Sequence, residues 1–581
     1  MLIFSGSMLH KNWPYCRQKE VFRQVFYVLC IAFPILFFFA VWFRMSVNVP
    51  FQDDVDAILG PVGQWAAGVK GPVQLWEILT TQDDERRIIM VRLMAIISYS
   101  ILGFLDFRVV AFLGIATYLV FLLLIFKWFK EENKVPFYLF LPVPFIIFTQ
   151  VNFGALYQSM VPLQHIAVYV WAFASIWCLS RRTTSHFSFG ILFGLLSVFS
   201  DVTGVLILVV GALTLVVQRE KLKFLIWVIL IAPTVILYFH NLVVPDFRPS
   251  MSDNLSHVDS MIAIVIAMPG MMADVFPKLP DDKRIWLALM SGLIILGFIS
   301  YEFILLVKKV LYGKYEISSN EIWIWGCIVF LLLTFTAFAF GRAAEGTKSI
   351  LLNRYKHMFL FWGVLNYLLF LKTSWIRGSY KKAGFICLGL SILFFVNGYF
   401  QVWGELDFFR KIILADAYGW SKNRVVPSAP IYVSVKSVVD PMYENSLNQG
   451  TYKFPEMPFT NLSKIPVKGF ANVEIDNGPF ISVTIPEFKR KSGFDDGAYV
   501  ILKSRKNTHV LPAQNQQSSL PGFFMTGQFY QGHATSYPLL NQYLATNEEY
   551  EVILGVIDEG NKYLLTTGKK IYTDPVRYAS H

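Results

Sequence analysis

Long apolar runs separated by short polar loops fill residues 1–405, and beyond them apolar and polar positions alternate between Pro, Gly and Asn turns. Twelve apolar segments lie at about 22–43, 88–106, 108–127, 136–149, 163–180, 187–199, 203–217, 224–240, 285–307, 321–340, 357–371 and 383–401. Several, such as Val21–Phe43, Ile285–Val307 and Ala383–Phe400, reach the roughly 20 residues that cross about 30 Å of hydrocarbon. The pattern predicts a polytopic α-helical membrane domain over 1–405, a linker over 406–419 and a water-soluble, β-rich, sandwich-like domain over 420–581. Two hairpins are predicted there. One turns at Asp476-Asn477-Gly478 and the other at Glu559-Gly560-Asn561.

Composition agrees with the membrane reading: of 581 residues 55% are hydrophobic and only 16% charged, with a mean hydropathy of +0.49. The first apolar stretch is too long for a signal-peptide core and has no small-residue cleavage site after it, so it reads as a retained span. A formal charge of +11 suggests nucleic acid at first sight. The excess, however, sits mostly in short loops such as Arg181-Arg182, Arg219–Lys223, Lys308–Lys314 and Lys372–Lys382, where the positive-inside rule places it. No nucleic-acid partner is expected. Putting the basic N-terminus inside sends loops 44–87, 241–283 and 341–356, with the terminal domain, to the outer face. Twelve crossings would return the C-terminus inside, so about 11 spans are expected, with Phe137–Thr149, which holds Pro142 and Pro144, as the piece that does not cross.

Three polar clusters fall on that outer face. Directly after the first span comes Gln52-Asp53-Asp54-Val55-Asp56, whose carboxylates repel one another and suit a general base or a cation site. The same loop ends in Asp83-Asp84-Glu85-Arg86-Arg87, and Arg92 follows more than a turn inside the next apolar segment, where it needs an anionic partner or a wet cavity. The third cluster runs from Arg342 through Glu345, Gly346 and Lys348 to Asn353-Arg354-Tyr355-Lys356-His357. Four basic residues and a histidine there oppose the positive-inside bias and favour an external anion, phosphate above all. Fainter signals are Gln150–Gln158 with His165, and Ser200–Gly204, where polar residues and glycine between apolar half-segments suggest broken helices lining a cavity. Walker A, HExxH, GxSxG and dinucleotide fingerprints do not occur, and the five cysteines form no CxxC or Cys/His array.

In order, spacing and membrane side these clusters resemble the class C (GT-C) membrane glycosyltransferases, in particular bacterial enzymes that decorate surface polysaccharides such as O-antigen. The family outline has an aspartate pair opening the first outer loop, an Asn-Glu-His-Arg-type stretch leading into Arg-Leu, and a distal Arg…Gly…Ser-Arg-Tyr stretch. Here these read Asp53-Asp54 with Asp56, then Asp84–Arg87 with Arg92-Leu93, then Arg342, Gly346 and Asn353-Arg354-Tyr355. Val55 replaces the aromatic that often follows the pair, Arg86 the family histidine, and Asn353 the serine. The resemblance covers residues 20–400 and not the β domain.

It implies an inverting transfer from a polyprenyl-phosphate sugar to a surface or lipid-linked glycan at the outer face of the bacterial inner membrane, with the C-terminal domain periplasmic. Asp53 or Asp54 would be the base. Arg342, Arg354, Tyr355 and Lys348 would hold the donor phosphate, with Asp56, Glu85, Arg87, Arg92, Gln158 and His165 around the substrates. The resemblance leaves the metal requirement open; if a divalent cation, magnesium or manganese, takes part, Asp53 and Asp54 would hold it. Membrane lipid, a donor-synthesising enzyme and a donor flippase are the implied partners. Two other readings stand beside it: a lipid-linked oligosaccharide transporter or flippase, and a polysaccharide polymerase or ligase. The β domain is a candidate acceptor-glycan module on the strength of Tyr443, Tyr452, Phe523, Phe524, Phe529 and Tyr530.

Overall fold

The computed structural model describes residues 14–573 apart from 70, 133, 246–247, 313–315, 374–375, 377, 430–431 and 492; of the basic loop residues, Lys11, Lys314 and Arg377 lie outside the described set. All twelve apolar segments are helical. Among the described residues seven helices are long and apolar enough to cross a membrane: Val21–Met45, Phe107–Glu131, Pro162–Leu179, Lys221–Phe239, Asp281–Tyr312, Ser319–Glu345 and Tyr380–Asn423. Shorter apolar helices, among them Ile89–Leu102, Thr184–Ser200 and Val202–Val217, pack between them. The protein is therefore membrane-embedded. Phe137–Ile147, interrupted by its prolines, covers about 16 Å at 1.5 Å per residue and is too short to cross.

One apolar helix sits where the sequence predicts only an outer loop. Val258–Ala273 folds against Asp281–Tyr312, and its uninterrupted apolar run is too short to stand out in a window sized for a span. Two glycines allow the close crossing: a Cβ on Gly270 would lie 1.9 Å from the Ala288 carbonyl, and one on Gly292 would lie 1.9 Å from the Ile266 carbonyl. Gly292→Ala is expected to destabilise the protein by about 1–3 kcal/mol through forced separation of the two helices. Gly297→Ala, on the same helix with open space around it, should be neutral, and thermal unfolding of the two variants in detergent compares them.

The stretch predicted as a linker, 406–419, is instead the continuation of one 44-residue helix, Tyr380–Asn423. At about 66 Å it is roughly twice the hydrocarbon thickness, so its second half stands clear of the membrane and carries the soluble region. Asp407 and Lys411 stabilise that half at i,i+4 spacing, with Lys411 Nζ 2.9 Å from the Asp407 carboxylate. Arg490 from the β domain reaches the same carboxylate at 2.7 Å, and Lys411 also donates to the Asp496 carbonyl at 2.6 Å. Arg410, one residue earlier, pairs with Asp495 at 3.0 Å and donates to the Met45 and Ser46 carbonyls, pinning the end of the first span to the same joint.

The β domain proper starts at 467, because 420–466 holds a further helix, Tyr432–Asn448, and irregular chain. Its strands are β1 (Val467–Phe470), β2 (Glu474–Asn477), β3 (Phe480–Ile485), β4 (Gly497–Lys503), β5 (Thr508–Gln517), β6 (Tyr530–Ser536), β7 (Leu539–Leu540), β8 (Glu549–Asp558) and β9 (Asn561–Tyr572). They form one sheet in the order β1-β9-β8-β4-β5-β6-β3-β2, with β7 on β3, rather than two separate sheets. The long β5 makes this continuity: its first half pairs with β4 and its second with β6. Residues from both halves, including Val483, Val500, Leu511 and Leu554, share one core. The hairpin at Glu559-Gly560 forms as expected, both residues with positive φ between the paired Asp558 and Asn561. At the other hairpin Asn477 stays in the strand opposite Ile481, and the turn shifts onto Gly478-Pro479. Pro479 accounts for the shift, since a residue before proline is pushed to extended backbone and cannot take the second place of an Asn-Gly turn.

Candidate functional site

The loop after the first span is folded back by a turn at Gln52, whose φ of 50° lies in the left-handed region. Asp54 is wholly buried beneath it and accepts three backbone N–H bonds, from Phe51 (3.0 Å), Ser159 (3.0 Å) and Met160 (2.8 Å). Burial still pushes its pKa up to about 7 against those bonds. Asp54 thus ties the loop to the broken-helix region next to buried Gln158, and no oxygen faces a substrate. Asp53 and Asp56 point outward, and the Asp53 side chain is 46% exposed.

Asp53 meets the second cluster at Arg86, Nη2 to Oδ2 3.9 Å. Arg86 is fixed in a tight turn by two reciprocal backbone bonds with Asp83 and by its own ion pair to the Asp83 carboxylate at 3.3 Å. Burial works against the Arg86 charge, yet Asp83, Asp201, Glu85 and Asp53 together hold its pKa above the usual arginine value. Burial raises Asp83 to about 6, although Arg86 and Arg92 oppose it. Arg87 and Arg92 do other work. Arg87 donates to the carbonyls of Thr80, Tyr238 and His240, and Arg92 to those of Ile78 and Thr81. Both arginines therefore cap the end of the Pro72–Thr80 helix and hold the loop shut, although the buried Nε of Arg92 has no partner.

Three short turns, Ala343–Glu345, Thr347–Leu351 and Asn353–Tyr355, carry the third cluster between the Ser319–Arg342 and Lys356–Lys372 helices. Arg342 pairs with Glu345 at 2.5 Å, and Arg248 links Glu345 (3.9 Å), Glu85 (3.0 Å) and Asp84 (3.9 Å), so the second and third clusters are stitched together. Arg354 lies over the Tyr355 ring at 5.1 Å, close against Gly154 of the broken helices, and its Nε is buried without a partner. The charges of Arg86, Arg342 and Arg354 all act on the His165 ring, which lies 6.1 Å from the Tyr355 ring and 6.0 Å from that of His357. His357 donates through Nδ1 to the Arg354 carbonyl at 2.8 Å, which in the neutral ring leaves a bare lone pair on its buried, unpartnered Nε2. Buried unpartnered atoms of Gln150, Asn152 and Gln164 lie in the same broken-helix region. Asp201 caps the 202–206 turn through Thr203 and accepts from Gln164 at 2.9 Å.

Two basic residues of the third cluster stand apart. Lys348 is a surface residue 3.5 Å from Asp281, and Lys356 is buried on Asp274 at 2.9 Å beside Arg284. The pair expected to hold a cation does not fit one: both Asp54 oxygens accept backbone N–H groups, Asp53 already faces a guanidinium, and among the described residues no group of three or more His, Cys, Asp or Glu converges on a cation position.

Beside Asp53 opens a cavity of about 590 Å³. Asp53, Asp56 and Asp84 form one wall and Tyr432, Val435 and Val439 of the Tyr432–Asn448 helix the other. Sequence reasoning placed Asp53, Arg342, Arg354, Tyr355 and His165 in one region but overlooked Arg248, a lone arginine in a long loop with no local signal. It also counted His357, the second residue of the Lys356–Lys372 helix, only as a member of the basic cluster. The aromatics considered for glycan binding are mostly packed: Tyr443 and Tyr452 are buried, Phe523 and Phe529 lie on Phe400, and Tyr530 lies under Arg490. No protein-family model matches the chain, and no curated protein or solved structure is significantly similar to it.

Proposed function

We propose that this chain is an inverting glycosyltransferase that moves a sugar from a polyprenyl-phosphate donor to a glycan acceptor at the outer face of the bacterial inner membrane, with the β domain in the periplasm. One observation carries the reading: an open carboxylate, Asp53, stands at a cavity with Arg86 3.9 Å behind it, on a loop that Arg248 ties through Glu85 to Glu345, the partner of Arg342. In this scheme Asp53 takes the proton from an acceptor hydroxyl as its oxygen attacks the anomeric carbon. The bond from that carbon to the phosphate oxygen breaks, and the electron pair leaves on the phosphate. Arg354, Arg342 and Arg86 supply positive charge where the phosphate gains negative charge. The unpartnered Nε2 of His357 offers an acceptor for a sugar hydroxyl.

Purified protein incubated with a panel of radiolabelled polyprenyl-phosphate sugars and lipid-linked glycans tests the proposal. Label is expected to move to an acceptor from one donor of the panel, and Arg354→Met is expected to lower turnover by about 10²- to 10³-fold, the range for losing one charge-stabilising donor. No transfer from any donor, or full turnover by the folded Arg354→Met protein, would overturn it.

A further inference from the structure

The short helix Leu520–Thr526 of the β domain leaves Phe524 77% and Met525 81% exposed, side by side. Its neighbours Phe523 and Phe529 are half-buried, with ring centroids 5.6 and 5.3 Å from Phe400. Phe400 has a particular place in the fold. Along the Tyr380–Asn423 helix, Ile386, Leu390, Leu393 and Val396 form an exposed apolar stripe at helical spacing, and Phe400 is its next member, at the end of the apolar run. In a membrane that stripe faces lipid. The segment covering its last residue therefore lies on the lipid side of the helix, at the boundary where hydrocarbon gives way to headgroups.

A second contact sets the same height. Lys278 Nζ lies 3.2 Å from the Gln517 carbonyl and 3.5 Å from that of Ser518, the residues leading into the short helix. Lys278 belongs to the turn before the Asp281–Tyr312 span, which exposes Phe276 before it and Trp286 in its second turn, an aromatic and basic composition typical of the interfacial zone. Gln517 also donates to the Phe400 carbonyl, so the segment is fixed to two spans at one level.

We propose that Leu520–Thr526 is an interfacial anchor of the β domain, with Phe524 and Met525 inserted among the lipids of the leaflet on the β-domain side. Two bulky apolar side chains fully open to water would be unfavourable. At this height and on this side, lipid covers them, and the β domain gains an attachment in addition to its joint on the long helix. The anchor stands apart from the transfer chemistry proposed above.

Nitroxide labels placed by Phe524→Cys and Met525→Cys, with Lys562→Cys at the exposed start of β9 as reference, test it in lipid nanodiscs in a protein whose native cysteines are replaced by serine or alanine. Collision with dissolved oxygen is expected to exceed collision with a water-soluble nickel chelate at 524 and 525, and the order is expected to reverse at 562. Chelate-dominated relaxation at 524 and 525, equal to that at 562, would overturn the proposal. Low access to both reagents, the sign of a covering protein partner, would overturn it as well. All three positions are exposed, so the labels disturb no packing that folding requires.

Discussion

Asp53→Asn is expected to lower sugar transfer by about 10²- to 10⁴-fold, the usual range for removing a general base, while the unfolding midpoint stays where it was. Its side chain is half in water, and its closest cation, Arg86, keeps the pair to Asp83 when Asp53 is neutralised. Asp54→Asn should do the reverse. Its amide nitrogen would face a backbone N–H of Phe51, Ser159 or Met160 where an oxygen now accepts, costing about 1–3 kcal/mol of stability for unmet buried donors. The folded fraction should retain turnover. pH adds a second signature. Burial raises the Asp54 pKa from 3.8 to about 7, so the folded chain holds this proton more tightly than the unfolded one. The resulting stabilisation is complete below 3.8 and is lost as pH rises through about 7, a slope that Asp54→Asn should flatten. Transfer assays and denaturation of both variants across pH decide the matter. A stable Asp54→Asn protein without activity, beside an active Asp53→Asn protein, would assign the base to the other aspartate.

Asp407→Ala is expected to destabilise the protein by about 3–5 kcal/mol, because it leaves Lys411 and Arg490, both almost fully buried, without their shared carboxylate. Desolvated cations side by side would repel, and the simplest relief is separation of the β domain from the long helix. Thermal unfolding in detergent should show the loss, and trypsin should release a β-domain fragment that the wild type protects. Replacing all three with apolar residues of similar size, Asp407→Leu with Lys411→Met and Arg490→Met, should recover most of the stability, since no unpaired charge would remain. A midpoint unchanged by Asp407→Ala would mean that the buried Asp496 carboxylate, which has no hydrogen-bond partner, takes over the two cations.

Much of this protein was legible before any coordinates. The apolar runs mark every segment that became a span-length helix, because a roughly 30 Å slab demands a run too long to be hidden. The Glu559-Gly560 hairpin was equally clear, since its turn is decided by two adjacent residues. Local rules failed where a neighbour or a distant contact overrode them. Pro479 moved one turn, the Val258–Ala273 helix was too short for a span window, and 406–419 reads as a linker until Arg490 and Asp496 are seen to secure Asp407 and Lys411.

The candidate site divides along the same line. Residue types and their side of the membrane nominated Asp53, Asp54, Arg87, Arg92, Arg342 and Arg354 alike, because a carboxylate or guanidinium near an outer loop looks the same in sequence whether it meets a ligand or a backbone. Only the tertiary structure separates them: Asp54 is closed by amides from residues 159 and 160, Arg87 by carbonyls at helix ends, and Asp53 keeps an open oxygen, while Arg92, held through Nη1 by two carbonyls, and Arg354 each keep an unpartnered Nε. The sequence by itself determined which segments become helices apolar enough for a membrane, through transfer free energy summed along each run. Which charged groups remain free to act was decided by tertiary packing, between residues 105 and 106 positions apart for Asp54 and 151 and 153 for Arg87, a quantity no local pattern encodes.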